Sequence, residues 1–177
     1  MVSVLAIDFS KSTGVAFGGK GDVPLLTTES FGHWEKATID EISRGVLQWI
    51  PGALALYKPD VVVIEAALTP SGGRGLNDTR ISIGGDFMLK GHCALAGVRC
   101  YEIHNKTWKA FILGNGNMPS RDAKRRSLHI AAEFGLSPRN DNESDAFCIW
   151  LYTMIKTVGF YTPAMQQVLA KAQRKLL

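Results

Sequence analysis

Val4-Leu-Ala-Ile-Asp8 and Val61-Val-Val-Ile-Glu65 decide how this chain is read. Each is a short apolar run, too short for a helix, that closes on a carboxylate. The second follows Lys58-Pro-Asp60 and is β-branched throughout, the pattern of a central strand buried on both faces of a parallel sheet. A charge at the end of an interior run is costly unless something compensates it. If the two strands are parallel neighbours, Asp8 and Glu65 stand side by side in the crevice where open α/β sheets hold ligands. Two carboxylates that close repel each other unless a cation lies between them. Hard oxygen donors without a soft partner suit Mg²⁺, or Mn²⁺. Each residue taken singly also has a plainer reading, Asp8 as an acceptor for the following turn and Glu65 as a salt-bridged cap.

Working outward, Val2 to Asp8, the turn Ser10-Lys-Ser-Thr-Gly14 and Val15 to Gly18 read as a hairpin, and Leu25 to Phe31 as a third antiparallel strand. Thr38 and Glu41 stand at capping-box spacing before Ile39, Ile42, Val46, Trp49 and Ile50, a helix that Pro51-Gly52 should kink or interrupt. Thr69 to Arg80, rich in Gly, Ser, Asn and Asp, reads as a loop, and Ile81 to Val98 as a glycine-containing helix. Arg99 to Ile103 is a further strand. Trp108 to Leu113 is a short helix stopped by Gly114-Asn-Gly-Asn. Ser120 is read as the cap of a basic amphipathic helix to about Phe134, and Ser144 to Thr157 and Met165 to Leu176 close the chain as helices. The order βββαβαβα is that of an α/β, ribonuclease H-like domain, a mixed five-stranded sheet flanked by helices. At 177 residues the expectation is one such domain over 1–177, with a helical extension from about 160.

A third acidic cluster, Asn140-Asp-Asn-Glu-Ser-Asp145, opens the apolar helix. Capping by Asn140, with Glu143 three residues on, accounts for Asp141, Asn142 and Glu143. It does not account for Asp145, which sits just inside the apolar stretch and shares a helical face with Asp141 and Asn142. Asp145 is therefore read as a metal ligand.

Charge is modest overall at +4 but unevenly placed. Lys106, Lys109, Arg121, Lys124, Arg125 and Arg126 face the single acid Asp122, a block of the kind that meets phosphates, with a solvated helix face as the plainer alternative. Lys171, Arg174 and Lys175 read as ordinary cations at a helix end. Three cysteines, Cys93, Cys100 and Cys148, form no C-x-x-C pair, which argues against a disulfide framework or a zinc site. The first twenty residues reach Asp8 and Lys11 before a long apolar run, so neither a signal peptide nor a membrane span is expected. The expected location is the cytoplasm of a bacterial or phage-infected cell.

Leu5-Ala-Ile-Asp-Phe-Ser-Lys-Ser-Thr-Gly14, Val63-Ile-Glu65 and Asp141-Asn-Glu-Ser-Asp-Ala-Phe147 resemble, in order and spacing, the acidic motifs of RuvC-type Holliday junction resolvases. The last looks like the phage-borne branch, and the match extends from residue 1 to about Tyr152. The resemblance implies a ribonuclease H-like homodimer binding two Mg²⁺ ions through four acidic groups, of which Asp8, Glu65 and Asp145 carry over. Where the pattern places the fourth acid this chain has Asn142, which offers a carbonyl oxygen but no charge; Asp141 and Glu143 are the substitutes.

The implied chemistry is hydrolysis by two ions about 4 Å apart, giving paired nicks in branched DNA. Lys109 joins the acids as a catalytic candidate. Lys106, Lys109, Arg121, Lys124, Arg125, Arg74 and Arg80 are the DNA-binding candidates, and Phe87, Met88 and the Thr69 to Arg80 loop are read as entering the junction centre, with the core as the alternative for Phe87. Near-two-fold symmetry of a four-way junction calls for two matched sites, with the helix Ile81 to Val98 as the interface. Two rivals remain: a junction-binding protein without catalysis, and an actin-like-fold phosphotransferase, for which the chain hardly provides a second lobe.

Overall fold

The computed structural model describes residues 2–32, 37–67 and 76–174. Its centre is a five-stranded sheet made of β1 (Ser3–Asp8), β2 (Ser12–Gly19), β3 (Leu25–Ser30), β4 (Val61–Glu65) and β5 (Arg99–Ile103), in the order β3-β2-β1-β4-β5. β1, β2 and β3 pair antiparallel, whereas β4 runs parallel to both β1 and β5. The register sets Ile7 against Ile64, so Asp8 and Glu65 close neighbouring parallel strands at the same end.

The apolar runs have this pattern because both faces of β1 and β4 are covered. Val4, Ala6, Val61 and Val63 point into a core built around α5 (Asp141–Lys156). Leu5, Ile7, Val62 and Ile64 point into a second core with α1 (Ile39–Tyr57) and α2 (Leu76–Leu95). Continuous hydrophobicity is what a strand between two helical layers requires.

α1 starts where the capping box places it: Thr38 N–H donates to Glu41 Oε2 at 2.8 Å and Glu41 N–H to Thr38 Oγ1 at 3.2 Å. Pro51-Gly52 do not interrupt the helix, which runs through both residues. Pro51 and Gly52 are exposed, while Ile42, Val46, Ile50 and Ala53 bury one continuous stripe. That packing outweighs the hydrogen bond that proline cannot donate. The helix ends at Lys58, whose left-handed backbone (φ 44°) precedes Pro59.

α2 begins at Leu76, earlier than the expected Ile81, so Leu76 to Arg80 are helical rather than loop. Residues 68–75, including Arg74, lie outside the described residues. α2 stops before Gly97 (φ 67°), where Val98 N–H reaches back to Cys93 O at 2.9 Å. This is the C-terminal stop that a left-handed glycine permits. After β5, α3 (Asn105–Trp108) passes directly into a π-helical turn, Lys109–Leu113, so helical structure here starts before the expected Trp108. α4 (Ser120–Glu133) is capped at Pro119, without a side-chain cap bond, and not by Ser120. α6 (Pro163–Arg174) packs on α4, where Lys171 Nζ meets Glu133 Oε2 at 2.7 Å. Among the described residues no helix is long and apolar enough to cross a membrane.

Candidate active site

Three elements deliver carboxylates to one end of the sheet. β1 supplies Asp8, β4 supplies Glu65, and the first turns of α5 supply Asp141 and Asp145. α5 begins at Asp141 because the Asn140 side chain accepts the Glu143 N–H at 3.0 Å. Its first turn lies directly on β2, since Gly14, the register partner of Asp8, has no Cβ to hold it off. Asp8, Glu65, Asp141, Asn142 and Asp145 line one cavity of about 490 Å³, together with Lys109 and Lys124.

The electrostatics are those of crowded acids. Burial pushes the Asp8 carboxyl well above its ordinary range, and the charges of Glu65 and Asp145 push it further. Asp145 is raised from 3.8 to about 6, chiefly by burial, with Glu65 and Asp141 adding to a shift that Ser127 and Lys109 oppose. Its Oδ1 is buried without a hydrogen-bond partner. Such an orphaned acceptor costs free energy unless a ligand meets it.

Glu65 and Asp141, like Asp145 beside Ser127, are engaged by protein donors. Glu65 Oε1 accepts the indole N–H of Trp108 at 2.7 Å. Asp141 forms an ion pair with Lys124, whose ammonium is thereby held above its ordinary value. Among the described residues no three acidic, His or Cys side chains converge tightly enough to hold an ion as they stand. The donor set itself, hard oxygens with one unmatched buried lone pair, fits Mg²⁺ or Mn²⁺ and no soft metal.

The candidates for the fourth ligand separate by position. Asn142 and Asp141 line the cavity, whereas Glu143 does not. Glu143 is 1% exposed; its carboxylate takes the Arg139 backbone N–H at 2.7 Å, the Arg139 Nε–H at 2.7 Å and the Thr28 hydroxyl at 2.8 Å. Burial raises its pKa, but these donors outweigh burial and leave it below the ordinary range. Glu143 is therefore a structural anion that ties α5 to β3.

The cations divide in the same way. Lys109 and Lys124 reach the cavity. Lys106, Arg121, Arg125 and Arg80 are exposed on surrounding elements, with Arg125 3.5 Å from Asp122. Arg126 does not belong to a phosphate-facing group: it is 8% exposed and donates to Leu113 O and Gln173 O, each at 2.7 Å, joining α4 to the π turn and α6. Phe87 is 72% exposed on α2 and is not a core residue. Sequence reasoning passed over Lys11, which lines the cavity and pairs with Asp78 at 3.1 Å. It also passed over Trp108, a buried aromatic that carries no outward sign of a polar task.

No protein-family model matches the chain, and no curated protein matches its sequence. Solved structures do match. Thermus thermophilus RuvC superposes with a TM-score of 0.62 at 18% identity, over 90% of this chain and 98% of that one. T. thermophilus RuvC in complex with a Holliday junction substrate gives 0.62 and 18% over 95% of this chain and 98% of that one. The yeast mitochondrial Holliday junction resolvase Ydc2 gives 0.60 and 13% over 98% of this chain and 84% of that one. The likeness is one of fold: the chain has the ribonuclease H-like architecture of RuvC.

Proposed function

We propose that this chain is a divalent-cation-dependent endonuclease that resolves four-way DNA junctions by paired nicks. The observation that carries the reading is the meeting of Asp8, Glu65 and Asp145 in one cavity, with the Asp145 Oδ1 unmatched, on a fold also found in a RuvC solved with a Holliday junction. The residues suited to hold the cation are Asp8, Glu65 and Asp145, completed by the Asn142 carbonyl or the Asp141 carboxylate. Mg²⁺, or Mn²⁺, held there, two ions in this reading, would supply the Lewis-acid chemistry that activates water and offsets charge at a phosphate.

The remaining roles belong to the chain. Lys109 and Lys124 offset negative charge that grows on the phosphate, which is worth most in a cavity that partly excludes water. Lys124 must leave Asp141 to do so, and a phosphate entering the cavity competes for the same ammonium. Lys106, Arg121, Arg125 and Arg80, with Arg74, hold the DNA arms through the backbone. Ile83, Phe87 and Leu95, at 38%, 72% and 87% exposure on α2, supply the apolar face of a homodimer that sets two sites on the two-fold of the junction. The natural setting of such an enzyme is the cytoplasm of a bacterial or phage-infected cell, and the chain is read as one nuclease domain.

One observation favours a second reading, junction binding without catalysis: Asn142 stands where a fourth acid is expected. A panel of labelled four-way junction, fork and linear duplex, incubated with Mg²⁺, separates the readings. The resolvase nicks the junction at symmetric positions and spares the duplex. Equal cutting of all three keeps a nuclease and discards the resolvase; junction binding without cutting leaves the second reading.

A further inference from the structure

Trp108 is fully buried, yet its indole N–H reaches Glu65. A buried indole N–H requires an acceptor, and a backbone carbonyl suffices, as Trp150 shows by donating to Gly18 O at 3.1 Å. Trp108 instead donates at 2.7 Å to a carboxylate that closes a central strand and lines the acidic cavity. The backbone departs from α-helical geometry at the next residue, where the π-helical turn Lys109–Leu113 begins. Such turns forgo regular helical bonds and recur at functional sites. Across this junction two consecutive side chains serve the same cavity. Trp108 approaches Glu65 from the core, and Lys109 lines the cavity with its ammonium 5.3 Å from the Trp108 ring centroid.

We propose that Trp108 is the positioning residue of Glu65: its indole N–H fixes the rotation of the carboxylate and so sets the geometry in which Glu65 meets a hard divalent cation. The inference rests on reading the cavity as a cation site. Indole suits the task for chemical reasons. It donates and cannot accept, it cannot ligate a metal, and it carries no charge, so it orients an oxygen without cancelling the negative field that attracts the ion. The Lys124–Asp141 pair is the contrast, because there an arriving cation competes with a charge already in place. A bulky, fully buried ring is also a rigid support, as an outer partner of a ligand must be.

The test measures cation binding without DNA or turnover. Mn²⁺ is titrated by calorimetry into wild type, Trp108→Phe and Trp150→Phe, each confirmed as folded by circular dichroism. Trp108→Phe should bind about 10–100-fold more weakly, the loss typical when an outer partner of a ligand is removed. Trp150→Phe, which also removes a buried indole donor, should keep wild-type affinity. Wild-type affinity in Trp108→Phe, or an equal loss in Trp150→Phe, overturns the proposal and leaves the nuclease reading standing. Absence of any Mn²⁺ binding by wild type overturns both.

A second measurement needs no variant of Trp108. The chain has four tryptophans, and the assigned Trp108 indole N–H resonance should move on Mg²⁺ titration and saturate with the binding isotherm. A Trp108 signal that stays fixed through saturation overturns the proposal even if Trp108→Phe does not fold.

Discussion

Gly14 lies so close to the backbone of Asn142 that a Cβ built on it would stand 1.9 Å from the Asn142 carbonyl oxygen. The obstruction is main chain, so a new methyl can be admitted only by moving the first turn of α5 away from β2. That turn carries Asp141 and Asn142, and Gly14 pairs across the strands with Asp8. Gly14→Ala should therefore destabilise the protein by about 1–3 kcal/mol, the usual cost of overpacking. Cation affinity and cleavage should fall further than stability accounts for, because the separation of Asp8 from Asp145 changes. Chemical denaturation and Mn²⁺ calorimetry on the same variant check the two effects separately.

Arginines adjacent in sequence should behave oppositely. Arg126→Ala removes hydrogen bonds to the Leu113 and Gln173 carbonyls and should cost about 2–3 kcal/mol of stability, as expected for buried bonds to a charged donor. Arg121→Ala and Arg125→Ala remove exposed charges and should change stability by less than about 0.5 kcal/mol. Each should lower the slope of log K against log salt for junction binding by roughly 0.9 for every phosphate it no longer neutralises. Binding isotherms at several salt concentrations, beside melting curves, distinguish the two classes.

Asp145 makes the cation-free protein sensitive to pH. Its folded value of about 6 lies above the ordinary 3.8, so the folded state holds the proton more tightly than the unfolded one. The resulting stability is fully present below about pH 4 and is lost as pH rises through about 6, an order-of-magnitude span of about 3 kcal/mol. In the absence of divalent cation, Asp145→Asn should match wild type at pH 4 and exceed it at pH 7, with a melting temperature several degrees higher. Mn²⁺ should reverse that order by stabilising wild type alone. Melting curves at pH 4 and 7, with and without Mn²⁺, measure all four states; a gap between the proteins that is independent of pH contradicts the assignment.

What the sequence disclosed follows from where free energy is concentrated. Val4 to Asp8 and Val61 to Glu65 are legible because a run covered on both faces leaves few alternatives, and a terminal carboxylate on such a run is conspicuous. Thr38 and Glu41 mark a helix start because their bonds are local. The features that escape depend on partners distant in the chain. Pro51 can interrupt a helix, but burial of Ile50 and Ala53 against other elements keeps α1 continuous. Arg126 is indistinguishable in sequence from Arg125, and only the carbonyls of Leu113 and Gln173 make it structural. Glu143 looks interchangeable with Asp141 until Arg139 and Thr28 claim it. Trp108 offers only an apolar residue at a helical position, and its partner Glu65 lies on a strand far away in sequence.

In the proposed reaction, acids from β1, β4 and α5 act together on a phosphodiester through a bound cation. The most direct test is cleavage of a synthetic four-way junction by wild type and by Asp8→Asn, each with Mg²⁺ and with chelator, at matched junction occupancy. Wild type should give symmetric nicks with Mg²⁺ and none with chelator, and Asp8→Asn should give none although it still binds the junction. Cleavage that survives chelation, or that Asp8→Asn performs at the wild-type rate, would contradict the proposed reaction.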